Sequence, residues 1–212
     1  MTQAAEKSFT SAIDSLPLKF KDAGFKNFVQ SDENLRAYNT CLAFALGKTE
    51  KKSIMLTGKT GTGKTHLAIA ILKNIPPVLK QFKISQIRGT FQNENKFYDK
   101  LERSTGKFFV ADEFFQELND CARNSESKKN LIERYLNEND IILIDELRAQ
   151  NWSPAKQENL YFIINRAYLN QKRIILTTNF TMEEIAKIDR SIYDRLVEMA
   201  IIVSFNGKSF RK

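Results

Sequence analysis

Apolar positions along this chain fall into two alternating kinds of run. Five are short and continuous: Ser53-Ile54-Met55-Leu56, Phe108-Phe109-Val110, Ile141-Ile142-Leu143-Ile144, Arg173-Ile174-Ile175-Leu176-Thr177 and Ile201-Ile202-Val203. A strand covered on both faces needs no polar alternation, so these runs predict buried strands. Between them the apolar residues recur at helical spacing. Residues 31–46 predict a helix capped by Ser31 or Asp32, with Leu35, Tyr38, Leu42 and Leu46 on one face and Gly47 ending it. A helix beginning near Lys64 carries Leu67-Ala68-Ile69-Ala70-Ile71-Leu72 and is stopped by Pro76-Pro77. Further helices run through Phe114, Phe115 and Leu118, over residues 128–136, and over residues 190–199. Another starts with Ser153 as N-cap and Pro154 in first position. Thr181-Met182-Glu183-Glu184 is a capping box for a short helix. Strands alternating with helices predict an α/β fold in three layers, α/β/α, around a parallel sheet of about five strands.

Three segments stand outside this alternation. Residues 1–15 are polar and mixed, and read as a flexible or weakly helical lead-in. Residues 16–28 are aromatic without a clean period. Phe20, Phe25 and Phe28 need an apolar partner, either the rim of the domain or the face of a nucleotide base. Residues 78–107 are mostly polar. Within them Phe82-Lys83-Ile84-Ser85-Gln86-Ile87 alternates as a strand does. Lys96, Lys100, Arg103 and Lys107 recur at helical spacing, which predicts one basic helix face, either solvated or a partner surface.

Composition narrows the class. The chain has 212 residues, enough for one α/β domain, and a formal charge of +8 that leans towards a polyanionic partner such as nucleic acid. Its two cysteines, Cys41 and Cys121, are far apart and read as reduced thiols. With a single histidine they offer no zinc ligand set. No secretory signal opens the sequence and no apolar run reaches membrane-spanning length. A cytoplasmic protein with no membrane contact is expected.

Chemistry enters at the end of the first strand. Gly58, Gly63, Lys64 and Thr65 fill the pattern G-x-x-x-x-G-K-[ST], with a strand before and a helix after. Glycines let the backbone curl so that successive N–H groups face phosphate oxygens, and the helix N-terminus adds its positive end. The candidate nucleotide-binding residues are Gly58, Lys59, Thr60, Gly61, Thr62, Gly63, Lys64, Thr65 and His66. Lys64 reaches the β- and γ-phosphates, and the Thr65 hydroxyl can ligate Mg²⁺. Asp145 and Glu146 end the buried run 141–144, at the strand end where ligands collect in open α/β sheets. Asp145 is placed to hold Mg²⁺, and Glu146 to act as general base on the attacking water. Asn179 follows the next strand, where it can orient that water and sense the γ-phosphate. Arg195, with Arg190 as second choice, can supply an arginine to a neighbour's γ-phosphate.

The order of P-loop, apolar strand ending Asp145-Glu146, Thr177-Thr178-Asn179 and Asp194-Arg195-Leu196 resembles that of AAA+ ATPases. Gly63-Lys64-Thr65-His66-Leu67-Ala68, Asn165-Arg166-Ala167-Tyr168 and Gly207-Lys208-Ser209-Phe210-Arg211 look like the DnaC/DnaI-type helicase loaders and the related IstB transposition ATPases. The resemblance covers residues 16–212. It implies ATP and Mg²⁺ as cofactors, ATP hydrolysis that is weak alone, and self-assembly into an oligomer or filament in which one subunit's arginine completes another's site. It also implies contact with single-stranded DNA and a replicative DNA helicase as partner, hence a helicase loader. The alternatives are an IstB-like regulator of DNA transposition and an ATP-gated adaptor with incidental hydrolysis. The expected organisation is a lead-in over 1–15 and an AAA+ domain over 16–212 with no C-terminal lid domain. Residues 78–107 look longer than the family norm and form a candidate insertion, and Arg148 stands where the family often has glycine.

Overall fold

The computed structural model describes residues 16–83, 97–102, 104–123, 127–150 and 152–210. Its strands are β1 (Ser53–Gly58), β2 (Val78–Lys83), β3 (Phe97–Glu102), β4 (Gly106–Val110), β5 (Ile141–Leu147), β6 (Arg173–Thr178) and β7 (Ala200–Phe205). Five of them form one parallel sheet in the order β4-β5-β6-β1-β7. Each of the five apolar runs is one of its strands; β1, β5 and β6 are buried on both faces, while the edge strands β4 and β7 are only partly covered. Side chains alternate between the two faces. Ile54, Leu56, Leu143 and Ile175 point into one core cluster, and Met55, Ile142, Ile144 and Leu176 into the other.

Helices close both faces. α1 (Leu35–Ala45) and α2 (Lys64–Lys73) cover the first cluster. α3 (Ala111–Arg123), α4 (Lys128–Glu138), α5 (Pro154–Leu169), α6 (Met182–Ile188) and α7 (Arg190–Met199) cover the second. This is the expected three-layer α/β/α arrangement. Ser153 caps α5 by accepting from the Lys156 N–H, with Pro154 in its first turn. The Thr181–Glu184 capping box closes the start of α6. Among the described residues no helix is long and apolar enough to cross a membrane.

Two expectations are corrected. α1 begins at Leu35, because Asn34 Oδ1 accepts from the Ser31 N–H and holds residues 31–34 in a turn. Its buried face is Ala37, Cys41, Phe44 and Ala45, while Leu35 and Leu46 are 42% and 51% exposed. Small residues on that face let α1 lie close against α2, which larger leucines would prevent. Cys41 is fully buried there, and burial pushes its thiol up to about 12.

The second correction concerns residues 97–102, which form a strand rather than a helix. β2 and β3 pair antiparallel, with Lys80 opposite Lys100. Cross-strand hydrogen bonding outweighs a helical spacing that rested on four basic residues. Lys100 and Lys107 therefore sit on different strands, while Lys96 and Arg103 lie outside the described residues. So do the lead-in, residues 1–15, and most of the strand expected at 82–87. An ion pair of 3.2 Å between Lys80 and Asp140 ties this hairpin to the turn before β5.

Candidate active site

The phosphate-loop pattern occupies the bend between β1 and α2. At Gly58 the backbone takes φ +142° and passes so close to β7 that an added Cβ would stand 2.3 Å from the Phe205 carbonyl oxygen. Gly58→Ala is therefore expected to cost about 2–4 kcal/mol of stability through strain and clash, read as a lowered midpoint in urea unfolding. Gly63 has φ +93°, and a Cβ there would meet the Phe28 ring at 2.7 Å. The Thr62 hydroxyl donates to Lys59 O at 2.9 Å and braces the loop from inside. Lys64 Nζ donates to Gly58 O and Lys59 O, each at 2.7 Å, so its ammonium lies across the mouth of the loop. α2 starts at Lys64 and aims its positive N-terminal end at the same place.

β5 brings the carboxylates to that loop. Asp145 is 2% exposed, and its Oδ1 accepts from Thr65 Oγ1 at 2.9 Å and from Thr177 Oγ1 at 2.5 Å. Burial holds this carboxyl above the usual range, while the two hydroxyl bonds pull the other way. The Thr177 oxygen also accepts from the Glu146 N–H at 2.9 Å. Glu146 itself is left-handed, with φ +60°, at a register shift between β5 and β6. A non-glycine residue in that conformation costs of the order of 1 kcal/mol, and it turns the Glu146 side chain out of the alternation that buries Asp145. Its Oε2 pairs with Arg148 Nη2 at 2.5 Å.

Asn179 follows β6 beside them, but its amide is engaged. Oδ1 accepts from the Ala149 N–H at 2.9 Å, and Nδ2 donates to Gln150 Oε1 at 3.3 Å. It therefore pins the loop after β5 as well as lining the cavity.

That cavity, about 630 Å³, runs from Glu146, Asn179 and Lys64 to an aromatic end formed by Phe20 and Phe28 with Phe210. Phe28 is buried, edge-on to His66 at 5.4 Å and to Phe210 at 6.3 Å. The Phe210 N–H donates to Gly61 O at 2.9 Å, and the Lys208 N–H to Glu33 Oε2 at 3.1 Å, which fastens the end of the chain over the loop. His66 faces the cavity, yet its Nε2 lies 2.8 Å from Gly24 O and 3.2 Å from Gly24 N, so it clamps the N-terminal segment to α2. Phe28 is thus both core and cavity wall. Phe210, Lys19 and Val29 line it as well, although the sequence gives them no site role. The one available signal was an aromatic residue three places after Gly207.

Arg195 and Arg190 are not among the residues that line this cavity. Arg195 donates to Ser191 O at 2.9 Å, and its guanidinium stands 5.4 Å and 5.8 Å from the Tyr161 and Tyr168 rings. Arg190 pairs with Asp194 at 3.0 Å.

A parallel sheet in this order, a phosphate loop at the end of β1 and paired acids at the end of β5, with β6 between the two, define a P-loop nucleotide-binding core of the AAA+ class. Residues 104–212 match the sequence model of the IstB-like ATP binding protein family, and the chain belongs to that family. It is 26% identical over 176 residues to the chromosomal replication initiator protein DnaA of Mycoplasma genitalium, covering 82% of this chain and 35% of that protein. The chain spans about a third of the length of the curated relatives it matches first. Among solved structures, a DnaC helicase loader superposes with a TM-score of 0.66 at 20% identity, over 90% of this chain and 100% of that one. DnaI superposes with a TM-score of 0.62 at 18% identity, over 99% and 100%. At these identities the likeness is one of fold.

Proposed function

We propose that this chain hydrolyses ATP and uses the cycle to load a replicative DNA helicase. The observation that carries the enzymatic part is the meeting, in one cavity, of Lys64, Thr65 and Glu146, with Asp145 bonded to Thr65 from behind. In this reading the triphosphate lies along residues 58–65. Lys64 leaves the Gly58 and Lys59 carbonyls and turns its ammonium to the β- and γ-phosphates. The base enters the aromatic end, against Phe28 and Phe210. Thr65 Oγ1 and Asp145 Oδ1 are hard oxygen donors 2.9 Å apart, which fits Mg²⁺. When bound, Mg²⁺ would neutralise charge on the β- and γ-phosphate oxygens. Glu146 takes a proton from the attacking water, and Asn179 holds the surrounding loop in place.

The loader role is supported by the likeness to two loader-type structures over their whole chains. The charge of +8 supports a contact with single-stranded DNA. Self-assembly, with a neighbour's Arg195 completing each site, and a cytoplasmic setting belong to the same proposal. A second reading, regulation of DNA transposition, is favoured by the family match over residues 104–212. The two part on what the chain captures. With ATP and Mg²⁺ present, the immobilised chain is expected to retain a purified hexameric replicative helicase from its host. Retention of a transposase instead would reverse the order. Lys64→Ala serves as the control. Loss of one charge-assisted contact of about 1.5–3 kcal/mol should weaken ATP binding by roughly 10–10²-fold, measured by calorimetry. Helicase retention should fall with it.

A further inference from the structure

Arg148 brings to the nucleotide cavity a cation that the chemistry described so far does not use. Its Nη2 lies 2.5 Å from Glu146 Oε2, and both side chains line the cavity together with Lys64 and Asn179. The backbone on either side of it is anchored. Thr178 Oγ1 donates to Leu147 O at 2.8 Å, and the Ala149 N–H donates to Asn179 Oδ1 at 2.9 Å. The loop is fixed at both flanks, so the freedom left to Arg148 is in its side chain. That side chain is 55% exposed, and its partner Glu146 34%. Ion pairs this wet are weakly held. A terminal phosphate carries more charge than a single carboxylate and presents two oxygens to the planar guanidinium fork.

We propose that Arg148 senses the γ-phosphate and is held in reserve on Glu146 until that group arrives. On entry of a triphosphate the guanidinium exchanges the Glu146 carboxylate for the γ-phosphate oxygens. One ion pair forms as the other breaks, and Glu146 is left free to face the water. A diphosphate lacks the group that draws Arg148 away, so the Glu146–Arg148 pair persists with ADP bound. The inference rests on the nucleotide reading above and adds a residue that separates ATP from ADP.

The test is a set of dissociation constants for a non-hydrolysable ATP analogue and for ADP, measured on the full chain by calorimetry. Arg148→Ala is expected to weaken the analogue roughly tenfold and to leave ADP within twofold. Glu146→Gln removes the competing carboxylate and should tighten the analogue about threefold. That gain should vanish in the double variant. Arg148→Lys should recover part of the discrimination, as a charge without the fork. An unchanged ratio of analogue to ADP affinity in Arg148→Ala would overturn the proposal. So would an equal loss for both ligands, which is what a merely structural role predicts. Failure of the unmodified chain to bind either nucleotide would overturn the nucleotide reading itself.

Discussion

Glu146→Gln is expected to lower ATP turnover by about 10²–10⁴-fold while nucleotide binding is kept. The expectation follows from how the chain spends its two adjacent acids. Asp145 keeps the alternation of β5, so it points inward to Thr65 and Thr177 and is buried. Glu146 leaves that alternation through its left-handed backbone and reaches the cavity. The glutamine amide has the same shape and leaves the backbone bond to Thr177 intact, since that bond uses the Glu146 N–H. What it loses is the ability to accept a proton. Phosphate release under saturating ATP checks this directly. Turnover within tenfold of the parent would mean that another group activates the water. Lost turnover with helicase loading intact would favour the ATP-gated adaptor.

Much of this site could be read from the sequence because its parts sit at strand ends. A continuous apolar run names its own strand, and the first polar residues after it mark the ligand-bearing edge. Asp145, Glu146 and Asn179 could all be placed that way. What escaped depends on backbone detail or on distant closure. Nothing local announces the left-handed Glu146 or the shift in register beside it. The fastening of Phe210 to Gly61 and of His66 to Gly24 joins segments far apart in the chain, with no periodic trace. The buried face of α1 departs from the sequence expectation for a related reason. Leu35 and Leu46 look like core, yet close approach to α2 selects Ala37, Cys41 and Ala45. At residues 97–102 a helical spacing of charges competed with a strand partner that only the folded chain supplies.

Arg195→Ala is expected to leave nucleotide binding by each subunit unchanged and to lower turnover of the assembly by about 10³–10⁵-fold. Arg195 does not line its own chain's cavity, so any effect on hydrolysis must come from elsewhere. Its guanidinium rests by Tyr161 and Tyr168 on the side of α7 that meets α5, with Nε buried and without a hydrogen-bond partner among the described residues. The Tyr168 hydroxyl is itself tied to Glu198, so the aromatic rest is held in place. Mixing two inactive variants separates action across subunits from an indirect effect within one. An Arg195→Ala subunit keeps Glu146, and a Glu146→Gln subunit keeps Arg195. In an equal mixture about a quarter of head-to-tail interfaces would pair the intact halves. Turnover should return to roughly that fraction of the parent value. Arg190, paired with Asp194, should tolerate replacement by alanine with turnover within a few-fold. Full activity of Arg195→Ala alone would remove Arg195 from the mechanism, and an inactive mixture would confine its effect to its own subunit.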